Sequence, residues 1–246
     1  MERRPAGGPT AGRGTSPRPR RMIDKTVPSL EVAVQGLEDG MVVMVGGFGD
    51  SGTPHELLNA VLGRGCKDLT IVSNNAGDGD RGIAALILHH RVRKVICSFP
   101  TTAHNYAVRE AVERGEVELE LRPQGTLAEC IRAGGAGLGG VLTPTGLGTE
   151  LAEGKPVIEL DGRQYLVERP LRADFALVRG WRADRWGNVV YRYAQQNFNP
   201  LMAMAARCTV VQVDHVHEVG EIDPMQVHTP GIFVDRVVRV EREVRA

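Results

Sequence analysis

Short apolar runs alternate along the chain with segments whose apolar residues recur at helical spacing. The runs are typical of buried strands, and they cover residues 41–45, 69–73, 93–99, 117–121, 174–178 and 208–213. The segments with helical spacing cover residues 29–37, 57–62, 83–88, 106–112 and 201–206. This alternation predicts βαβ units, and therefore an α/β fold with a mainly parallel sheet flanked by helices.

One part of the chain departs from this alternation. Residues 157–160 and 164–167 are two strand-like runs joined by an Asp161-Gly162 turn. An Asp-Gly pair between two such runs is typical of a hairpin. We therefore expect an antiparallel hairpin added to the parallel sheet.

Three predicted helices begin with capping signals. Thr53 and Glu56 form a capping box before the helix over residues 57–62. Thr126 opens a second capping box, and Asn199 is expected to cap the helix over residues 201–206.

Composition and charge narrow the class of protein. Lys and Arg together number 30, as do Asp and Glu, so no net charge attracts nucleic acid or an acidic membrane surface. No apolar stretch approaches the ~18 residues of a membrane span. The four cysteines lack C-x-x-C spacing, and we expect reduced, mostly buried thiols in a cytoplasmic protein.

The first 21 residues are rich in Gly, Pro and Arg and contain almost no large apolar side chain. Such a segment cannot offset its ordering entropy by burial, so residues 1–21 are predicted to form a disordered extension. Residues 22–246 are predicted to form one domain.

The first buried strand leads into a glycine-rich segment. Residues 46–52 read Gly-Gly-Phe-Gly-Asp-Ser-Gly and connect this strand to a predicted helix. Glycines let a backbone approach a ligand closely, and the free amides of a helix N-terminus favour an anion. Three interpretations fit the segment: a dinucleotide site, an anion-binding loop, or a tight turn without a ligand.

The segment also satisfies the G-x-G-x-x-G dinucleotide fingerprint. That fingerprint expects an acidic residue about 20 positions later, at the end of the next strand, to hold the ribose. The next strand ends in Ser73-Asn74-Asn75 instead, which argues against a dinucleotide.

Three amide side chains are candidates for substrate binding. Asn74 and Asn75 follow a strand at its carboxyl end, where open parallel sheets bind ligands. Gln124 stands just before a predicted helix. Each amide can bond a substrate carboxylate or carbonyl, or only the backbone of its own turn.

Other polar residues give weaker signals. His215 and His217 share one face of a strand, but two imidazoles without a third ligand favour a solvated strand end over a metal site. His55 lies in a first helical turn, either beside an anion or simply on the surface. Neither G-x-S-x-G nor H-E-x-x-H occurs, and no nucleophile with an obvious base stands out.

Several short motifs follow one another between residue 22 and about residue 240. They include Asp39-Gly40 with its strand and Gly46-Gly47-Phe48, Ser73-Asn74-Asn75-Ala76-Gly77, Pro123-Gln124-Gly125-Thr126-Leu127-Ala128-Glu129, Thr143-Pro144-Thr145-Gly146 and Asn197-Phe198-Asn199-Pro200. In this order they resemble the family I coenzyme A transferases, specifically the alpha (A) subunits of 3-oxoacid CoA-transferases.

The resemblance implies a ping-pong transfer of CoA between carboxylic acids. In the family, a glutamate attacks the acyl-CoA and becomes a glutamyl-CoA thioester by way of an anhydride. That glutamate belongs to the beta (B) subunit, in a Ser-Glu-Asn-Gly motif that this chain lacks. The resemblance therefore implies a CoA-transferase beta subunit as partner in an α2β2 assembly, a CoA thioester as substrate, and no permanently bound cofactor or metal.

The family's site residues carry over by position. The implied CoA-contacting loop consists of Gly46, Gly47, Phe48, Gly49, Asp50, Ser51 and Gly52. Asn74, Asn75 and Gln124 are implied to bind the acid and fix its carboxylate. No catalytic nucleophile is expected in this chain. Amide donors and helix N-termini suit the negative charge that develops when a carboxylate attacks a thioester.

The motifs leave the acid substrate open. Residues 75–79 and 184–188 are similar to the 3-oxoadipate enzymes of aromatic catabolism, whereas residues 137–142 are closer to the acetate and acetoacetate enzymes. Many relatives have Arg after the proline at position 100, where this chain has Thr101. We expect succinyl-CoA as donor and 3-oxoadipate or acetoacetate as acceptor. The alternatives are one chain of an acetate/acetoacetyl-CoA transferase and a non-catalytic module that binds CoA or a nucleotide.

Overall fold

The computed structural model describes residues 23–100 and 104–241. The predicted extension at residues 1–21 lies outside this part of the chain, as do Thr101, Thr102 and the charged residues at the C-terminus.

The described residues form strands and helices in an alternating order. The strands are β1 (Thr26–Val27), β2 (Val42–Val45), β3 (Leu69–Val72), β4 (Val92–Cys97), β5 (Glu118–Leu121), β6 (Val141–Thr143), β7 (Val157–Leu160), β8 (Arg163–Glu168), β9 (Ala173–Arg179), β10 (Arg182–Asp184), β11 (Val189–Val190), β12 (Ala206–Val213), β13 (His215–His217) and β14 (Arg236–Arg239). The α-helices are α1 (Leu30–Ala33), α2 (His55–Arg64), α3 (Ile83–Leu88), α4 (Tyr106–Glu113), α5 (Gln124–Gly135) and α6 (Asn199–Met204). The first helix is shorter than predicted and ends at Ala33.

The centre of the fold is an eight-stranded sheet in the order β1-β14-β12-β9-β2-β3-β4-β5. Every neighbouring pair in this sheet is parallel, which confirms the predicted fold class. Strands β2, β3, β4 and β5 lie side by side in chain order toward one edge of the sheet. The later strand β9 pairs with the opposite side of β2. The carboxyl ends of β2 and β9 therefore form a topological switch point, where open α/β sheets bind ligands.

Both faces of the sheet are covered by helices. On β2, Val43 and Val45 belong to a core shared with helices α1 to α4, whereas Met44 packs into a second core with α5 and α6. A strand that is buried on both faces needs apolar residues at every position. This explains why the run over residues 41–45 is uninterrupted rather than alternating.

Two small sheets lie beside the central one. β7 and β8 pair antiparallel with Leu160 opposite Arg163, and the turn residues Asp161 and Gly162 have φ angles of 50° and 71°. These angles are typical of a tight hairpin turn and confirm the predicted hairpin. β6 extends this sheet, and a second small sheet, in the order β11-β10-β13, was not predicted.

The three predicted N-caps are wrong. Thr53 donates its hydroxyl to the carbonyl oxygen of Gly49 at 3.0 Å and makes no cap bond to α2. Thr126 lies inside α5, because that helix already begins at Gln124. Asn199 is the first residue of α6, and its side chain bonds backbone groups outside that helix.

A residue distant in sequence takes over the role predicted for Thr53. Oε1 of Gln212, on β12, accepts the backbone N–H of Leu57 at 3.0 Å, and Nε2 of the same side chain donates to Glu56. Gln212 is fully buried, so its amide accepts a hydrogen bond from an otherwise unpaired N–H group in the first turn of α2, on the side that faces the sheet. Local sequence cannot indicate this cap, since the two residues are 155 positions apart.

Within residues 23–100 and 104–241, no helix combines the length and the apolar character needed to cross a membrane. Cys66, Cys97 and Cys130 are buried and Cys208 is half-buried, as predicted for the four thiols.

Candidate functional site

Residues 46–52, here called the glycine loop, connect β2 to α2 at the switch point. The backbone N–H of Phe48 donates to Ser51 O at 2.9 Å, and that of Ser51 donates to Phe48 O at 3.1 Å. The two residues between them form a tight turn at the tip of the loop. Gly49 and Gly52 have φ angles of 58° and 74°, which side-chain-bearing residues rarely adopt.

One buried side chain holds both ends of the glycine loop. Asn199 has no exposed surface, and its Nδ2 donates to the carbonyl oxygens of Gly52 at 3.1 Å and Gln195 at 2.8 Å. Its Oδ1 accepts the backbone N–H of Arg179 at 3.1 Å. A β-carbon on Gly46 would lie 1.9 Å from that Oδ1. Glycine at position 46 therefore leaves the space that the Asn199 amide fills.

Polar side chains from three neighbouring elements stand beside this loop. Asn74 follows β3, Ser98 follows β4 and Gln124 begins α5. Nε2 of Gln124 donates to Oδ1 of Asn74 at 3.0 Å, and the Ser98 hydroxyl donates to the same oxygen at 2.9 Å. These three residues are called the amide cluster below. Asn74 is at its centre and is only 3% exposed.

Asn75 connects two loops. Its Nδ2 donates to the carbonyl oxygen of Gly49 at 3.4 Å, and its Oδ1 accepts the backbone N–H of Gly77 at 2.9 Å. The side chain thus fixes the tip of the glycine loop against the loop that follows β3.

The glycine loop and the amide cluster share one hollow of about 440 Å³. Its lining residues are Phe48, Gly49, Asn74, Asn75, Ser98, Phe99 and Gln124. The structure therefore brings two residues of the predicted CoA-contacting loop together with all three predicted acid-binding residues. A second hollow of about 340 Å³ adjoins it and shares Phe48 and Gln124.

The remaining residues of the predicted CoA-contacting loop do not line either hollow. Gly46, Gly47 and Gly52 support the loop, and a β-carbon on Gly47 would lie 2.3 Å from the Thr53 hydroxyl oxygen. Asp50 and Ser51 stand at the outer side of the turn and are exposed.

The carboxylate of Asp50 lies beside two nitrogen-bearing side chains, those of His55 and Arg81. Nε2 of His55 lies 2.6 Å from Asp50 Oδ1, and Nη2 of Arg81 lies 3.2 Å from Asp50 Oδ2. The side chains of Asp50 and Arg81 are exposed, so these pairs contribute little to stability. The Arg81 guanidinium does offset the one negative charge in the glycine loop, which matters for a ligand that is itself an anion.

Among the residues that the structure describes, those lining the larger hollow offer hydrogen-bond donors but no carboxylate and no thiol. The nearest thiol in sequence, Cys97, is buried at the end of β4. Burial raises the pKa of the Cys97 thiol to about 11, so it is protonated and weakly nucleophilic near neutral pH. Of the described residues around the hollow, none therefore has the character of an activated nucleophile.

A metal site is likewise absent from the described part of the chain, where no group of three His, Cys, Asp or Glu side chains could hold an ion. His215 and His217 lie on β13, and His215 is exposed. His217 is half-buried, and its Nδ1 lies 3.4 Å from Oε2 of Glu221.

Ser98 and Phe99 were not predicted as site residues. They follow β4 in the same way that Asn74 and Asn75 follow β3. The rule that placed Asn74 and Asn75 at a ligand-binding sheet edge applies equally to Ser98 and Phe99 and could have identified both.

The sequence pattern of the Coenzyme A transferase family matches residues 27–240, so the chain belongs to this family. Among individual proteins, it is similar to the alpha (A) subunit of 3-oxoadipate CoA-transferase from Pseudomonas putida, with 54% identity over 219 residues that cover 89% of this chain and 95% of that protein. It is also similar to the alpha subunit of acetate CoA-transferase from Escherichia coli K12, with 48% identity over 210 residues that cover 85% and 94% of the two chains.

A solved structure shares the fold. It is the crystal structure of an acyl-CoA transferase from Escherichia coli O157:H7 in a thioester complex with CoA, with a TM-score of 0.77 and 22% identity. The match covers 88% of this chain and 47% of the other. This chain therefore spans about half the length of that transferase.

Proposed function

We propose that this chain is the alpha subunit of a 3-oxoacid CoA-transferase, which moves CoA from succinyl-CoA to a 3-oxoacid. The observation that supports this best is the larger hollow, where the glycine loop meets the amide cluster. The described residues of its walls provide neutral donors for a carboxylate but no activated nucleophile that could attack a thioester. Such a site is half of a CoA-transferase active site.

The two walls have different roles in this proposal. The glycine loop, residues 46–52, contacts CoA through its exposed residues Phe48, Gly49, Asp50 and Ser51, which Gly46, Gly47 and Gly52 support, while Asn74, Asn75 and Gln124 bind the acid. The positive φ angles of the loop glycines support close backbone approach to the CoA moiety. CoA is a substrate here and not a resident cofactor.

The chemistry requires a carboxylate from another chain. A glutamate on the beta-subunit partner attacks the acyl carbon of succinyl-CoA, a C–O bond forms, and the C–S bond breaks to give a mixed anhydride and CoA thiolate. The thiolate then attacks the glutamyl carbonyl, which forms the glutamyl-CoA thioester and releases succinate. The same steps in reverse with a 3-oxoacid carboxylate yield 3-oxoacyl-CoA and restore the glutamate. No proton or electron is gained or lost overall.

The donors of this chain act on the charge that develops in these steps. Each attack places negative charge on an acyl oxygen, and preorganised amide donors stabilise such an oxyanion without reorganisation. Asn74 and Gln124 lie at the hollow in positions suited to this role. Their NH2 groups also donate hydrogen bonds to the carboxylate of the incoming acid, and they stay neutral because amides do not ionise near neutral pH.

The partner in this proposal is the beta subunit, in an α2β2 assembly. Both of the similar proteins are named as the alpha chains of their enzymes, which supports the existence of a partner. The balanced charge of the chain favours no nucleic acid or membrane surface and is in keeping with a cytoplasmic location. Residues 22–246 form the alpha-subunit domain, and the family match over residues 27–240 supports these bounds.

The acceptor in this proposal is 3-oxoadipate or acetoacetate. The 54% identity to a 3-oxoadipate enzyme supports the first of these acids. None of the described residues that line the hollow is cationic, so a second carboxylate would need a positive group from elsewhere, such as the partner chain. An acetate-type transferase is the second candidate, because an acetate enzyme is 48% identical.

Two measurements on the complex with the beta subunit test this function. Incubation with succinyl-CoA followed by borohydride should reduce a glutamyl-CoA thioester, and peptide mapping should locate the modified glutamate in the partner chain. A module that only binds CoA gives no such adduct. A panel of 3-oxoadipate, acetoacetate and acetate then identifies the acceptor, and preference for acetate would contradict the 3-oxoacid assignment.

A further inference from the structure

The geometry points to Ser98 as a positioning residue that fixes the amide of Asn74 so that its NH2 group faces the reacting acid. This inference rests on the proposed function and assigns a role to a residue outside the predicted site. Ser98 lines the hollow, and its hydroxyl contacts Asn74 twice, at Oδ1 (2.9 Å) and at the backbone carbonyl oxygen (3.0 Å).

The Ser98 hydroxyl has one proton, and the more suitable of its two acceptors is the side-chain oxygen of Asn74. The backbone carbonyl of Asn74 already accepts two N–H groups, those of Ser98 and Phe99, each at 3.1 Å. A carbonyl oxygen has two lone pairs, so these bonds satisfy it. The hydroxyl proton is therefore assigned to Oδ1 of Asn74.

Oδ1 of Asn74 also accepts a hydrogen bond from Nε2 of Gln124 at 3.0 Å. With two donors at this oxygen, the carbonyl end of the amide is fixed toward the protein. The NH2 end then points away from Ser98 and Gln124. Within the described ranges, no group accepts a hydrogen bond from Asn74 Nδ2. Its two hydrogens are thus left for a ligand in the hollow that Asn74 lines.

The orientation of this amide decides whether it attracts or repels the substrate. A carboxylate or an oxyanion is stabilised by Nδ2 and repelled by Oδ1. Without the Ser98 hydroxyl, only Gln124 holds the carbonyl end, and Gln124 is itself exposed. Ser98 therefore acts through Asn74, and loss of its hydroxyl should weaken the interaction with the acid rather than the fold.

The test uses the complete complex with the beta subunit. Ser98→Ala should lower kcat/KM for the acid about tenfold, the upper size expected for one lost hydrogen bond between neutral groups. The midpoint of thermal unfolding should change little. Ser98→Thr keeps the hydroxyl and should restore most of the activity. Ser73→Ala is the control, since Ser73 also stands at a strand end, but its hydroxyl is buried and donates to Val45 O at 2.9 Å. It should affect acid turnover less than Ser98→Ala does.

A double-mutant cycle with Asn74→Ala separates positioning from a direct role. In the Asn74→Ala background, Ser98→Ala should cause no further loss, because the group that it orients is gone. Additive losses would overturn the inference, and so would wild-type kcat/KM in Ser98→Ala. If Ser98→Ala fails to assemble, Ser98→Cys keeps the size with a weak donor, and full activity in that variant would overturn it as well. A wild-type complex that transfers no CoA to any acid would instead refute the proposed function itself.

Discussion

A β-carbon on Gly46 would lie 1.9 Å from Oδ1 of Asn199, inside any permitted contact distance. Gly46 does not have a positive φ, so its need for glycine comes from this contact and not from backbone conformation. Nδ2 of the same asparagine bonds Gly52 O at 3.1 Å. One buried amide therefore sets the position of both ends of the glycine loop.

Gly46→Ala should displace Asn199 and distort the glycine loop. Overpacking of this kind costs roughly 1–3 kcal/mol in the free energy of unfolding, and we also expect a higher KM for the CoA thioester. Gly63→Ala is the matched control, because Gly63 lies in α2 with open space at its β-position. That change should stabilise the chain by about 0.5–1 kcal/mol. Urea unfolding of both variants checks this, and a Gly46→Ala chain as stable as wild type would contradict it.

Asn199→Ala should be more harmful than loss of the neighbouring amide of Asn197. It leaves the buried Arg179 N–H and Gly52 O, and the half-buried Gln195 O, without their partner, which costs roughly 3 kcal/mol or more in the free energy of unfolding. Asn197 is half-buried and bonds Ser51 O at 2.9 Å, where water can replace it. We expect about 1 kcal/mol for Asn197→Ala. Both variants are measured by urea unfolding. Equal losses in the free energy of unfolding would show that the burial of Asn199 does not increase its contribution to stability.

The main architecture was predictable because a strand that is buried on both faces requires an uninterrupted run of apolar residues, which is visible in the sequence. Val43, Met44 and Val45 alternate between two cores, and only a strand covered on both faces needs such a run. Helix starts were not predictable in the same way. The cap of α2 comes from Gln212 on β12, and the side chain of Asn199 serves the glycine loop instead of α6. Both contacts join residues far apart in sequence, so local capping rules gave the wrong result.

Gln124→Ala should impair turnover more than folding. The Gln124 side chain is exposed but donates to Asn74 Oδ1 at 3.0 Å, so its removal costs little stability while it frees one side of the Asn74 amide. We expect about a tenfold loss in kcat/KM for the acid and a change within about 0.5 kcal/mol in the free energy of unfolding. Glu129→Ala, at an exposed position of the same helix, is the control for the substitution itself. Unchanged turnover in Gln124→Ala would remove this residue from the site.

Glu120 should give the chain a specific sensitivity to acid. Burial by itself would raise the pKa of Glu120, but hydrogen bonds and ion pairs with Lys94 and Arg122 outweigh it and hold the pKa below its usual 4.5. A carboxyl with a lowered pKa in the folded state stabilises the fold above its unfolded pKa, and this contribution is lost as pH falls through the folded value.

Glu120→Gln should therefore flatten the loss of stability below pH 4.5, the usual value for this group. Urea unfolding across that acidic range measures the slope. Glu129→Gln, at an exposed site on α5, should keep the wild-type slope. The same slope in Glu120→Gln and wild type would contradict the assignment of this acid sensitivity to Glu120.

The candidate site was predictable in its residue types but not in its connections. Asn74 and Asn75 follow β3 and Gln124 begins α5, and the three share a hollow with Phe48 and Gly49. The sequence could not show that Asn75 bonds the two loops, or that Oδ1 of Asn74 accepts hydrogen bonds from Ser98 and Gln124. Side-chain orientation depends on partners brought together only by folding, and Ser98 on the neighbouring strand end is such a partner for Asn74.

The dependence on a second chain is tested most directly by reconstitution. This chain and its beta-subunit partner are purified separately, and formation of 3-oxoacyl-CoA from succinyl-CoA and a 3-oxoacid is followed by mass spectrometry for each alone and for the mixture. Only the mixture should transfer CoA, because the donors of this chain and the glutamate of its partner are both required. Sustained transfer by this chain alone would contradict the assignment of the nucleophile to the partner.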